Sequence, residues 1–134
     1  MHARRTQLRT LERLKDRADF LKIQNKGQKW VSHGLILQTL SYDSPQRRVG
    51  FTVSKKVDKS AVKRNRIKRR LRAVAADILP LYARASQDYV LVGRKGSIDR
   101  PYKALCNDLK WCLGKLDLLA EQNSVAEEGK REDA

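Results

Sequence analysis

The chain has 134 residues, enough to bury roughly two thirds of its extended-chain surface around one core and too few for a second full domain. Its 30 Lys and Arg against 15 Asp and Glu give a formal charge of +15, a surplus that calls for a polyanionic partner. No run approaches the ~20 consecutive apolar residues of a membrane helix. The N-terminal MHARRTQLRTLERLK has no apolar signal-peptide core, and Glu12 and Asp16 weigh against a transit peptide, so a cytoplasmic protein is expected.

In chain order, a basic arm over residues 1–13 precedes a folded domain over 14–119, and an acidic tail over 120–134 is expected to be disordered. Asp16 and Asp19 predict the start of a short helix from about Arg17 to Asn25, with Gly27 as a left-handed terminator. Trp30 to Leu40 reads as one strand, with Leu35, Leu37 and Thr39 on one face and Gly34, Ile36, Gln38 and Leu40 on the other. The turn cluster Asp43, Ser44, Pro45 predicts a hairpin to a return strand that places Val49, Phe51 and Val53 on one face and Arg48, Gly50, Thr52 and Ser54 on the other. The apolar face is core. Its opposite, with Gly, Gln, Thr and Ser, is open enough to be a groove.

Ser60 to Leu79 is the strongest helix prediction, because Ile67, Leu71, Val74 and Ile78 recur at i, i+4, i+7 and i+11. The other side is cationic: residues 60–72 carry seven Lys and Arg and no acid. Seven like charges repel one another along about 15 Å of helix unless a partner offsets them, which favours nucleic acid over a merely solvated face. Pro80 is expected to close this helix. Residues 88–96 then read as a central strand, and Tyr102, Leu105, Leu109, Cys112, Leu116 and Leu119 as the core stripe of a last helix. Trp111 lies off that stripe, as a partner surface or a partly buried aromatic. The order α, β, β, α, β, α implies a small α+β sandwich.

No catalytic constellation is visible. Cys106 and Cys112 are six apart, about 240° around a helix, so they read as core residues or free thiols rather than a disulfide or a metal pair. With only His2 and His33, there is no zinc-type ligand set and no Ser-His-Asp or Cys-His arrangement. No phosphate-binding glycine loop occurs.

The segment Arg48 to Leu71, RVGFTVSKKVDKSAVKRNRIKRRL, resembles the signature of the bacterial ribonuclease P protein subunit in its Arg64-Asn65-Arg66 run. Arg13, Leu14, Asp19, Phe20 and Gly27 fit the same family's first helix, and residues 87–95 and 100–119 its later strand and helix. The resemblance implies a two-layer α+β sandwich of the ribosomal protein S5 second-domain type, with a left-handed βαβ crossover. It also implies a function, the removal of the 5′ leader from precursor tRNA by a catalytic RNA that uses Mg²⁺, one protein being expected per RNA. By the same resemblance, Lys55, Lys56, Arg64, Asn65, Arg66, Lys68, Arg69 and Arg72 are RNA-contact candidates. Phe20, Gln24, Ile36, Gln38 and Thr52 are candidates for a groove holding the single-stranded leader. Gln24 and Gln38 stand where several family members present aromatics, which shifts base stacking toward Phe20, itself either a groove or a core residue.

No catalytic residue and no metal ligand is expected in the protein, since Asp58 and Asp77, the acids near the basic helix, are isolated. Two rivals remain on sequence alone: a ribosomal or nucleoid-type binding protein, which charge does not exclude, and an autonomous nuclease, which lacks paired carboxylates or a placed histidine.

Overall fold

The computed structural model describes residues 11–120. Its elements are strand β1 (Leu11–Arg13), helix α1 (Arg17–Lys26), strands β2 (Gln28–Val31), β3 (Leu35–Ser41) and β4 (Arg47–Thr52), helix α2 (Ala61–Tyr82), strand β5 (Gln87–Gly93), a 3₁₀ turn (Lys95–Ile98) and helix α3 (Tyr102–Lys115). The strands form one sheet in the order β1-β4-β5-β3-β2. β5 is central, antiparallel to β3 and parallel to β4, so β4-α2-β5 is a crossover between adjacent strands.

Alternation along the strands sorts the two faces. Leu35, Leu37, Val49, Tyr89 and Leu91 meet Ile67, Leu71, Val74 and Ile78 of α2 and Leu105, Leu109, Cys112 and Leu113 of α3 in the main core. The α2 stripe predicted from periodicity is therefore the one buried. On the other face Leu14, just before α1, and Ile23 and part of Phe20 of α1 pack on Val90, Leu40 and Val92, a partial third layer beyond the expected two. Arg48 ties that layer down: it donates to both Asp88 oxygens at 2.7 and 2.6 Å and to Asp19 of α1 at 3.2 Å.

Several expectations are corrected. β3 and β4 do not pair; β5 lies between them. The connection can straddle β5 because Ser86, just before that strand, accepts from the Tyr42 N–H and donates its own to Gln46 O, at 2.9 and 3.2 Å. The single strand from Trp30 to Leu40 is two strands, broken where Ser32 Oγ donates to Leu35 O at 2.6 Å. Gly27 has φ −80°, not a left-handed value. It is needed for close approach, since a Cβ would lie 2.2 Å from Thr39 O.

Pro80 sits inside α2, where burial of Leu79, Pro80 and Ala83 offsets its missing hydrogen bond. α3 ends earlier than its stripe suggested, in a Schellman turn: Leu118 N donates to Leu113 O, Asp117 N to Gly114 O, and Asp117 adopts φ 58°. Tyr102 is exposed and hydrogen-bonds Asp77 of α2 rather than joining the core. Leu11 to Arg13, read as part of the basic arm, pair with β4 as an edge strand. Residues 1–10 and the acidic stretch 121–134 lie outside the described residues.

Candidate nucleic-acid interface

Register across the open face of the sheet gives the groove its floor. Thr52, Val92, Ile36 and Val31 form one cross-strand row on β4, β5, β3 and β2, and Gly50, Val90, Gln38 and Lys29 form the next. Phe20 covers the second row: a Cβ on Gly50 would come within 2.4 Å of its ring, so glycine there is what lets the aromatic lie against the sheet. The first row stays open, with Ile36, Val92 and Thr52 half-buried and Val31 exposed. Phe20 is half-buried in the α1 cluster and stands beside the open row. Gln24 is exposed on α1, one turn beyond Phe20.

The open row leads into a cleft of about 580 Å³ lined by His33, Ile36, Lys56, Val92, Arg94 and Lys95, among others. Ile36 and Lys56, proposed from sequence for two different surfaces, meet here. Lys29, His33, Arg94 and Lys95 were missed by sequence reasoning. Arg94-Lys95 did carry a signal, a basic pair directly after the central strand. Lys29 and His33 became legible only once the segment from Trp30 to Leu40 was broken in two.

The loop from β4 to α2 is a fixed object. Ser60 caps α2 by accepting from the Lys63 N–H at 3.3 Å, Asp58 Oδ1 accepts from the Ser60 N–H at 2.9 Å, and Arg64 Nη1 donates to the carbonyls of Asp58 and Lys59, both at 2.9 Å. Arg64 therefore braces the loop that carries the exposed Lys55 and Lys56. Asn65, Arg66, Arg69 and Arg72 are exposed along α2, while Lys68 is half-buried. Arg72 leans toward β4, its guanidinium 5.6 Å from the Phe51 ring centroid. Arg70, though part of the same charge run, serves the fold: it donates to the carbonyls of Ser97, Ile98 and Arg100, at 3.0 and 2.6 Å for the first two.

Three carboxylates serve the fold. Asp19 and Asp88 face Arg48, Asp108 pairs with Arg100, and among the described residues no three His, Cys, Asp or Glu side chains converge to hold a metal ion. These residues do not fit an Mg²⁺ ligand set. Both thiols are free; burial pushes Cys106 and Cys112 above the ordinary cysteine range, which makes them poor nucleophiles. No helix among the described residues is long and apolar enough to cross a membrane.

The ribonuclease P family model matches residues 8–117. The ribonuclease P protein component of Paramagnetospirillum magneticum is 44% identical over 120 residues, covering 86% of this chain and 90% of that one. The chain belongs to the bacterial ribonuclease P protein family. The corresponding component from Gluconacetobacter diazotrophicus is 46% identical over 104 residues, covering 77% and 89%. The Staphylococcus aureus RNase P protein structure superposes with a TM-score of 0.67 at 27% identity, covering 81% of this chain and 97% of that chain. As a ribonuclease P protein component the chain acts in tRNA processing, together with an RNA subunit.

Proposed function

We propose that the protein binds the catalytic RNA through α2 and the 5′ leader of precursor tRNA through the groove, while the RNA carries out the Mg²⁺-dependent hydrolysis. The observation that supports this reading is the placement of two surfaces on opposite faces of one sheet. α2 packs on one face and displays Asn65, Arg66, Arg69 and Arg72 outward; α1 and the Ile36 row lie on the other. They meet only around the strand ends, where Lys56, Arg94 and Lys95 gather. A chain so arranged can hold two RNA strands at once and lower the charge density where they converge.

The side chains suit these roles. Guanidinium forks bridge phosphate oxygens, and Asn65 offers an acceptor and two donors to a sugar hydroxyl or base edge. The open row is apolar with a single hydroxyl, from Thr52, and is flanked by an aromatic, which fits unpaired bases better than duplex. Mg²⁺ in this reading is ligated by RNA, one protein serves each RNA, and the particle works in the cytoplasm.

The test is cleavage of precursor tRNA at low Mg²⁺ by protein alone, RNA subunit alone and both. Cleavage only when RNA is present, enhanced by the protein, is expected. Cleavage by the purified protein without RNA would sink the assignment of chemistry, and a protein that fails to enhance the RNA would leave it a binding protein without an enzyme.

A further inference from the structure

Both tryptophans of the chain lie at one place on the surface, on the sheet edge opposite β1. Trp30 of β2 and Trp111 of α3 have ring centroids 6.0 Å apart at an interplanar angle of 71°, and the residues are 37% and 48% exposed. Neither is on a mobile loop. Trp30 is paired in register with the buried Leu37, and its carbonyl accepts from the Cys112 thiol at 3.7 Å. Two ammonium groups accompany the rings: Lys115 Nζ lies 5.8 Å from the Trp111 centroid, and Lys110 Nζ lies 4.5 Å from that of Tyr82. Beside Trp111 is a pocket of about 390 Å³ lined by Lys110, Trp111, Gly114, Lys115 and Leu119, with no carboxylate.

Gly114 borders the same pocket. Glycine is the poorest helix former after proline, yet this one sits within α3 with no positive φ to require it. A Cβ there would meet only Leu119 Cδ1, at an ordinary 3.6 Å. Neither backbone nor packing asks for glycine. What a side chain would do is fill the pocket next to the exposed ring.

We propose that Trp30, Trp111, Lys110 and Lys115 form a further RNA-binding platform, which takes an unpaired base against the Trp111 ring in the gap left by Gly114, with phosphates on the two lysines. The proposal rests on the reading that this protein works on RNA. It concerns neither the α2 arginines nor the groove. Charge complementarity selects RNA over a protein partner, because the centres of protein interfaces are depleted in lysine whereas stacking platforms for single strands combine aromatics with cations.

Because no other tryptophans exist, tryptophan fluorescence, excited selectively over the four tyrosines, reports on this platform alone. Titration of the full chain with an oligouridylate of about ten nucleotides should quench it. The quench should persist in an Arg66→Ala, Arg69→Ala, Arg72→Ala variant, which weakens the proposed α2 surface. Trp111→Ala should weaken oligouridylate binding about fivefold or more. Gly114→Gln should hold or raise the melting temperature while weakening the quench, which separates binding from folding. No fluorescence change at saturating RNA, loss of the quench in the α2 variant, or unaltered affinity in Trp111→Ala and Gly114→Gln would each overturn the proposal. Self-association of the chain abolished by Trp111→Ala would assign the platform to a second copy instead. None of these failures touches the precursor-tRNA assay, which tests the other surfaces.

Discussion

Arginines that look alike in sequence separate once their partners are seen. Arg70 spends its guanidinium on carbonyls around the 3₁₀ turn, whereas Arg69 next to it is exposed on α2. Arg70→Ala would leave three partly buried carbonyls without a charged donor and is expected to cost about 1.5 to 3 kcal/mol in urea denaturation; Arg69→Ala should stay within about 0.5 kcal/mol. Tyr89 gives a residue-scale pH dependence. Its ring is fully buried, its hydroxyl donates to Arg84 O at 2.6 Å, and burial raises its pKa above the ordinary value of 10.0. A folded-state pKa above the unfolded one means the stabilisation is complete below pH 10 and declines as pH rises beyond it. Tyr89→Phe should lose about 0.5 to 1.5 kcal/mol at neutral pH and show a shallower decline above pH 10, read from denaturation midpoints across that range. An identical decline in both proteins would mean the phenol is not the group responsible.

At the scale of elements, period and position were legible where burial alone decides them. The α2 stripe, the alternation of β3 and β4 and the centrality of β5 all follow from which side chains must leave water. Strand order was not legible, because Asp43-Ser44-Pro45 looks like a hairpin turn whether its strands are adjacent or one strand apart. Only the Ser86 bridge distinguishes the two cases, and it comes from a residue over forty positions away. β1 had no readable signal at three residues, while the Ser32-His33-Gly34 break did carry turn residues that the apolar run around them masked. The α2 surface makes its own prediction. Replacing Arg66 and Arg69 with Ala removes two exposed charges and leaves the buried stripe of α2 untouched, so RNA-subunit affinity should fall and the slope of log affinity against log salt should flatten by up to about two units. Including Arg64 would confound this measurement, because its loss frees the Lys55-Lys56 loop as well.

For the molecule as a whole, the sheet acts as a partition between the two proposed RNA surfaces, and a variant on one side should leave the other intact. Sequence reading grouped the candidate residues by resemblance; it could not show that the groups lie on opposite faces, since that depends on where α1 packs. Phe20 is the decisive residue because it both covers Gly50 and borders the open Ile36 row. Truncation to Ala would mix lost packing with lost stacking, so Phe20→Leu is the sharper variant: it keeps an apolar cover over Gly50 and removes the aromatic face. Melting temperature and affinity for the RNA subunit should then hold, with the salt slope unchanged because no charge is removed. Affinity of the holoenzyme for precursor tRNA with a long leader should drop by about 1 to 3 kcal/mol, the value of one base on an aromatic ring, and affinity for mature tRNA should not move. Equal losses for precursor and mature tRNA would mean that Phe20 acts on the whole particle rather than on the leader. Unchanged affinity for both, with a lower melting temperature, would make it a core residue and leave the open row without its wall.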